Sequence, residues 1–250
     1  MLAASNFEFK YRFWLFGAIF GGAFAAYAID HVPAGIALGK AIAHTRAAGS
    51  PQTAFHLAFA IGAVLCLAAA LVRTWGTAYL NAEVMVGSHV DTSRLVADGP
   101  YRYVRHPLYF GNILLAMGMG LLASRIGFLI LVAGMIVYDL RLIVLEESQM
   151  RAIRPESYRA YSSAVPRLIP ALRPKVLPAG RLPNWSDGIL GEAFMWMLAA
   201  SAVAFAITLN RLVYLAVLAL AFAVYAICLL LIERRRKHAD PRSSSKPTSH

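Results

Sequence analysis

The sequence predicts an all-α protein of the polytopic membrane class, a helical bundle with about six spanning helices. Of its 250 residues, 59% are hydrophobic and 15% charged, more apolar surface than a soluble domain of this size buries against itself. The few charges are unevenly placed, leaving near-uncharged runs such as Phe13 to Ile29, Ala54 to Val72 and Val203 to Ile232. Basic residues gather at the ends of these runs, as expected where apolar helices meet a charged interface.

Taken in order, six spans are expected near Phe13 to Ile29, Ala54 to Val72, Leu108 to Ala123, Ile126 to Leu145, Ala193 to Leu209 and Leu212 to Ile232, since about 20 apolar residues cross a hydrocarbon core of roughly 30 Å. The first follows Lys10 and Arg12 and ends at Ala26-Tyr27-Ala28, in the manner of a secretory leader. Its apolar run is long for a leader, so an uncleaved helix is expected. Gly17 and Gly21 on that helix form a small-xxx-small pair expected to pack within the bundle. With a cytoplasmic N-terminus, 19 of the 24 Lys and Arg fall on the cytoplasmic side and four on the other, with Arg141 inside a span. That bias predicts a multi-pass protein of the cell (inner) membrane with both ends cytoplasmic.

Four regions follow: two N-terminal helices over 1–72, a core with a helical hairpin over 73–172, a linker and further hairpin over 173–232, and a basic disordered tail over 233–250. The net charge of +11 reads as topology signal and membrane-lipid contact, with no nucleic-acid partner expected. Cys66 and Cys228 each lie in an apolar run, so neither a disulfide scaffold nor a metal site is indicated. Gly118 to Ala123 matches a dinucleotide-loop pattern in letters, but it lies in an apolar helix and follows no strand.

The third and fourth spans are separated only by Ser124 and Arg125, which forces a tight antiparallel hairpin. His106 is 18 residues before the turn and Glu146 is 21 after it, so at 1.5 Å per residue both lie roughly 27 to 32 Å from it. The run Asp98 to Gly111 and the pair Glu146-Glu147 should therefore meet at the membrane surface. Pro107 suits a first helical turn, and Gly99-Pro100 a turn before it. Arginines and tyrosines at that depth can form an interfacial belt, and Glu147 with Arg151 a surface pair. Two adjacent acids at the end of an apolar helix, facing His-Pro-x-Tyr, tip the reading toward function. Asp139 lies deeper on the same face as Glu146 and fits either a polar cleft or a structural pair, while Tyr158 and Tyr161 share one face of a short surface helix.

Four pieces in order carry a resemblance: Gly99-Pro100-Tyr101-Arg102-Tyr103 running into Arg105-His106-Pro107-Leu108-Tyr109 and Gly111; Glu146-Glu147; Tyr158-x-x-Tyr161; and Val165-Pro166-Arg167 with Pro170. From Arg73 to Leu172 the chain resembles the isoprenylcysteine carboxyl methyltransferases and the related phospholipid methyltransferases. The resemblance implies S-adenosyl-L-methionine as cofactor, held by Tyr101, His106, Pro107, Leu108, Tyr109 and Glu146, with Ser93, Arg94, Leu95 and Val96 lining the pocket. The substrate-contacting arginine of the prenylcysteine enzymes would fall at Leu142, one position from Arg141. Catalytic candidates are thus Glu147, Arg105 and Arg141.

Methyl transfer suits these residue types. The cofactor needs an anion for its ammonium, donors for its carboxylate and an aromatic wall near its sulfonium, which Glu146, His106 with Arg105 and the tyrosines offer. A carboxylate acceptor requires little beyond positioning and desolvation, whereas an amine requires a base, for which Glu147 is the candidate. The expected partner is an amphiphilic or lipid-linked acceptor. Two other readings stand beside this one: an NADPH-dependent sterol-type reductase, whose C-terminal region resembles the same core, and a transporter or scaffold in which Asp139 and Arg141 line a pathway.

Overall fold

A computed structural model describes residues 3–45, 49–80 and 97–239, with side chains described as far as residue 227. All regular structure in these residues is helical. Helix α1 (Asn6–Lys10) is closed by a capping box between Ser5 and Glu8, and α2 (Arg12–Ala25) runs into a short 3-10 turn at Ala26–Ala28. Helix α3 (Ala34–Ala43) begins after Pro33. It falls in a stretch read from sequence as a connection, because ten residues with three polar flanks give too short an apolar run to stand out.

Helix α4 (Pro51–Ala78) is the centre of the molecule, packing against α3 and three later helices. It starts earlier than its apolar run because Ser50 accepts from the Thr53 N-H and Pro51 fits the first turn. It also runs past Val72, carrying Arg73 and Thr77 inside the helix. Its buried positions Ala54, Ala58, Gly62, Cys66 and Ala70 repeat every fourth residue, a row of small side chains that lets α5 (Pro107–Gly120) approach closely. A Cβ on Gly118 of α5 would lie 2.6 Å from both the Cys66 sulfur and the Gly62 carbonyl. The glycines of the dinucleotide-like pattern thus serve helix contact.

Helix α6 (Arg125–Ile153) completes the expected hairpin, its first turn capped by Ser124, which accepts from the Gly127 N-H at 3.0 Å. The turn is held from outside by the segment entering α3. Ala34 and Gly35 donate to the Ala123 and Leu121 carbonyls at 2.8 Å, Arg125 donates its N-H to Val32, and Asp30 pairs with the Arg125 guanidinium at 2.9 Å. After α6 come the short α7 (Pro155–Ala164), then α8 (Trp185–Gly191) and α9 (Ala193–Thr208), bent by 62° where they join, and α10 (Arg211–Ala239). Helices α8 and α9 both pack on α4, and α10 packs on α9.

Among the described residues, α4 and α6 are long and apolar enough to cross a membrane, and the bent α8–α9 pair adds a third candidate. Arg12–Ala28, α3 and the Arg211–Ile227 part of α10 are shorter apolar helices. The expectation of six spans is therefore met only in part, by two or three candidate spans with shorter apolar helices around them. Helix α5 shows why: its 14 residues extend about 21 Å, less than a hydrocarbon core. Gly17 and Gly21 do not pack within the bundle as expected, since a Cβ on either would meet nothing within 4 Å. Helix α2 instead faces α6 through the buried Ala23 and its neighbours Phe16, Ile19 and Phe20.

Candidate active site

The four sequence pieces that carry the resemblance converge. Gly99 opens the first with φ +55°, and a Cβ there would run into the Tyr79 ring, so only glycine makes this turn without strain. Pro100 then starts a 3-10 turn over Gly99–Arg102 that buries Tyr101, whose carbonyl accepts from the Tyr161 hydroxyl of α7 at 2.8 Å. Tyr158, Tyr161 and Val165 form a small core beneath this turn, with Ala97, Met150 and Val176 against it. The fourth piece docks through its backbone, as the Arg105 N-H donates to the Pro166 carbonyl at 2.8 Å. Asp98 secures the flank, its two oxygens accepting from the N-H groups of Ala179 and Arg181 at 2.7 and 3.0 Å.

At the centre stand the two acids of α6, and their surroundings differ sharply. Glu147 is 1% exposed and its carboxylate accepts from Arg105 at 2.5 Å, Arg151 at 3.0 Å and Arg167 at 2.8 and 3.1 Å, with His106 Nε2 at 3.3 Å. Three guanidiniums from three elements thus share one anion, which ties the His106 turn, α6 and the Arg167 loop into a single unit. Both oxygens of Glu147 are occupied by donors, so it lacks the free lone pair a base would need. Glu146 keeps 22% of its side chain exposed. Tyr109 donates to its Oε1 at 2.5 Å, and its Oε2 stands 3.6 Å from His106 Nδ1, beyond hydrogen-bond reach.

His106 lies between the acids with 11% of its side chain exposed. Burial favours the neutral ring, but the Glu147 hydrogen bond and the negative charges of Glu146 and Glu147 outweigh it and raise the ring above its ordinary value. Pro107 is fully buried in the first turn of α5, and the next residue's carbonyl, Leu108, accepts from Arg73 at 3.2 Å.

Arg141 is turned to the N-terminus. Its guanidinium holds both oxygens of Glu8 at 2.8 Å, its carbonyl accepts from the Ala4 N-H, and the neighbouring Tyr138 donates to the Glu8 carbonyl. Ser93, Arg94, Leu95 and Val96 lie outside the described residues.

Sequence reasoning missed one group entirely. Arg73, counted there as a cytoplasmic flank of the second span, is held inside α4 by both oxygens of Glu192 at 2.7 and 3.0 Å, and also donates to Asn112 at 2.6 Å. The available signal was an arginine and a glutamate each bordering an apolar run, a weak one, because helix ends commonly carry charge.

Residues 57–156 match the phospholipid methyltransferase family. The matched segment is 100 of the chain's 250 residues. It contains Tyr101, His106 to Tyr109 and Glu146-Glu147, and the family's methyl donor is S-adenosylmethionine. The chain is also similar to a methanethiol S-methyltransferase of Crocosphaera subtropica (strain ATCC 51142 / BH68), at 31% identity over 127 residues, covering 50% of this chain and 49% of that relative. The chain thus spans about half the length of the curated relative it matches. No solved structure matches it. The matched segment fits that family's donor in residue type: Glu146 offers a partly exposed anion with one oxygen in reach of a cation, beside the Tyr109 and His106 rings, whose centroids are 5.9 Å apart.

Proposed function

We propose that this protein is a membrane-embedded methyltransferase, with S-adenosylmethionine supplying the methyl group at the Glu146 site and an acceptor arriving from the bilayer. The observation that carries this reading is the contrast between the two acids. Glu147 is consumed in holding the site together, whereas Glu146 is kept partly open beside an aromatic and cationic turn. An exposed anion maintained next to a caged one is what recognition of a cationic ligand requires.

The donor's activated methyl is electrophilic enough that the protein's work is binding, orientation and exclusion of water. In this reading Glu146 takes the donor's ammonium, Tyr109 orients Glu146, and His106 and the Tyr101 turn form the adjoining wall. Pro107 and Leu108 set the first turn of α5 that carries Tyr109. Glu147 and Arg105 act by position, fixing His106 and the Arg167 loop. Arg141, held by Glu8, fastens α1 over α6 and does not meet the acceptor. For the acceptor, the thiol named for the cyanobacterial relative is one candidate and an amphiphilic amine or carboxylate another.

The membrane arrangement we propose keeps both ends and the site on the cytoplasmic side, with the apolar helices forming a polytopic bundle of up to six crossings. The bias of Lys and Arg toward one side supports it, Arg73 excepted, since that residue is used within the fold.

The test is transfer of labelled methyl from S-adenosylmethionine to total membrane lipid and to methanethiol by the purified protein in lipid nanodiscs. Label should appear in one acceptor pool and vanish in Glu146→Ala protein of unchanged melting temperature. Equal transfer by both proteins would overturn the assignment of Glu146.

A further inference from the structure

Residues 166–184 join α7 to α8 without forming a helix. Pro166, Pro170, Pro174, Pro178 and Pro183 punctuate them, and each proline fixes φ and removes a backbone donor. The residue after each of the last four turns its N-H inward. Ala171 donates to the Tyr103 carbonyl at 2.9 Å, Lys175 to the Arg102 carbonyl at 2.8 Å, Ala179 to the Asp98 carboxylate at 2.7 Å and Asn184 to the Ala78 carbonyl at 2.7 Å. With its backbone committed to the site's own turn, the segment has no freedom to fold its apolar side chains under itself. Leu172, Leu177 and Leu182 are 101%, 87% and 85% exposed, and Ile169 is 78% exposed. The adjoining α7 behaves oppositely. From Arg154 to Leu168 no large hydrophobic side chain is exposed, and the outer face carries Glu156, Arg159 and Ser163.

The segment crosses one end of the molecule. Helices α4 and α5 run antiparallel, with Gly62 against Gly118 and Gly76 against Leu108, and α6 reverses again after Ser124. The C-terminal ends of α4 and α6, the two long candidate spans, therefore lie on one side. Residues 166–184 set out from α7, which follows α6 directly, and finish on Ala78, the last residue of α4. That path runs along the edge of any bilayer those helices cross. Irregular backbone is tolerated at such an edge when its polar groups are satisfied, which the prolines and the inward N-H groups achieve. Charge selects what faces the leucines. The segment holds Arg167, Arg173, Lys175 and Arg181 and no acid, so a second copy of the same face would oppose cation to cation, whereas an anionic leaflet complements it.

We propose that this segment is a membrane-seated brace with anionic phospholipid as its partner. Ile169, Leu172, Leu177 and Leu182 enter the boundary between headgroups and acyl chains, and the exposed Arg173 and Lys175 bind the anionic headgroups. Because the inward N-H groups of the brace hold the turn from Asp98 to Arg105, the leaflet supports that turn from outside. The proposal rests on the membrane placement given above and on nothing about methyl transfer.

The experiment places single nitroxide labels by Leu172→Cys, Leu177→Cys, Ser163→Cys or Val64→Cys in full-length protein lacking Cys66 and Cys228. Val64, 63% exposed on α4, is the reference for lipid and Ser163 the reference for water. Nanodiscs are made of phosphatidylcholine with or without phosphatidylglycerol. Power-saturation spectra compare collisions with oxygen, which concentrates in lipid, and with a nickel chelate, which stays in water. The oxygen-to-nickel ratio at positions 172 and 177 should exceed that at 163 by at least about threefold. Phosphatidylglycerol should raise it further, and the rise should vanish in protein that also carries Arg173→Gln and Lys175→Gln, with the Val64→Cys label unchanged. Labels at 172 and 177 as open to nickel as the one at 163 would overturn the proposal. So would labels closed to both reagents, the mark of a protein partner or a second copy, and so would a phosphatidylglycerol response that is absent or survives the double substitution. A Val64→Cys label open to nickel would sink the membrane placement of α4 instead, and the labels at 172 and 177 would still report whether the brace enters lipid.

Discussion

Glu146 and Glu147 share a helix turn and a chemistry, yet three arginines reach only the second. With its carboxylate 1% exposed and bound by Arg105, Arg151 and Arg167, Glu147 cannot be replaced without stranding buried positive charge. Glu147→Gln should lower stability by about 3 kcal/mol, the range for breaking a buried ion pair, read as a fall in melting temperature; a variant as stable as wild type would show the cage to be ornamental. His106 adds a pH dependence. Its raised folded value means that its proton stabilises the fold, a contribution complete below the unfolded imidazole's value of about 6.5 and lost as pH rises through the higher folded value. The gap in melting temperature between wild type and His106→Asn should therefore narrow as pH is raised above the neutral range. A gap that widens with pH would contradict the sign of the coupling between His106 and the two acids.

At the level of elements, the link between Arg73 and Glu192 joins the α8–α9 bend to α4 and, through the Leu108 carbonyl, to the first turn of α5. Glu192 is fully buried and lies outside the segment that matches the family. Glu192→Gln should cost about 3 kcal/mol and also weaken S-adenosylmethionine binding, because Arg73 would no longer be held against the His106 turn. Calorimetry and thermal unfolding of one sample would separate the two effects, and binding that is unimpaired would limit this link to stability. The hairpin of α5 and α6 was legible in the sequence because two turn residues between apolar runs allow one geometry, and counting along each arm brought His106 to Glu146. Glu147 was legible as a site residue and its i, i+4 pair with Arg151 was expected, but the rest of the cage was not, since Arg105 and Arg167 reach Glu147 only when the chain folds back. Helix α3 and the hydrogen bonds from Arg73 through Asn112 to the buried Asp139 were hidden for a different reason: they depend on contacts between segments separated by dozens of residues, and their local patterns resemble loops and helix ends. The small-residue pair on α2 misled, because spacing shows that a helix can be approached closely and does not show by what.

For the whole molecule, the apolar composition, the central α4 and the candidate spans fit the proposal of a membrane enzyme whose site lies where polar loops meet apolar helices. If both ends are cytoplasmic, a single cysteine placed at position 3 or at position 240, in protein lacking Cys66 and Cys228, should resist an impermeant maleimide in intact cells and react after lysis. Labelling of either in intact cells would reverse the proposed topology. The central claim is narrower: the open acid beside the caged one holds a cationic methyl donor. Isothermal titration of the purified wild-type protein and of Glu146→Gln with S-adenosylmethionine measures this directly. The account predicts saturable one-site binding to wild type and at least about tenfold weaker binding to the variant, with the melting temperature preserved. Equal affinity in the two proteins, or no binding to either, would contradict it.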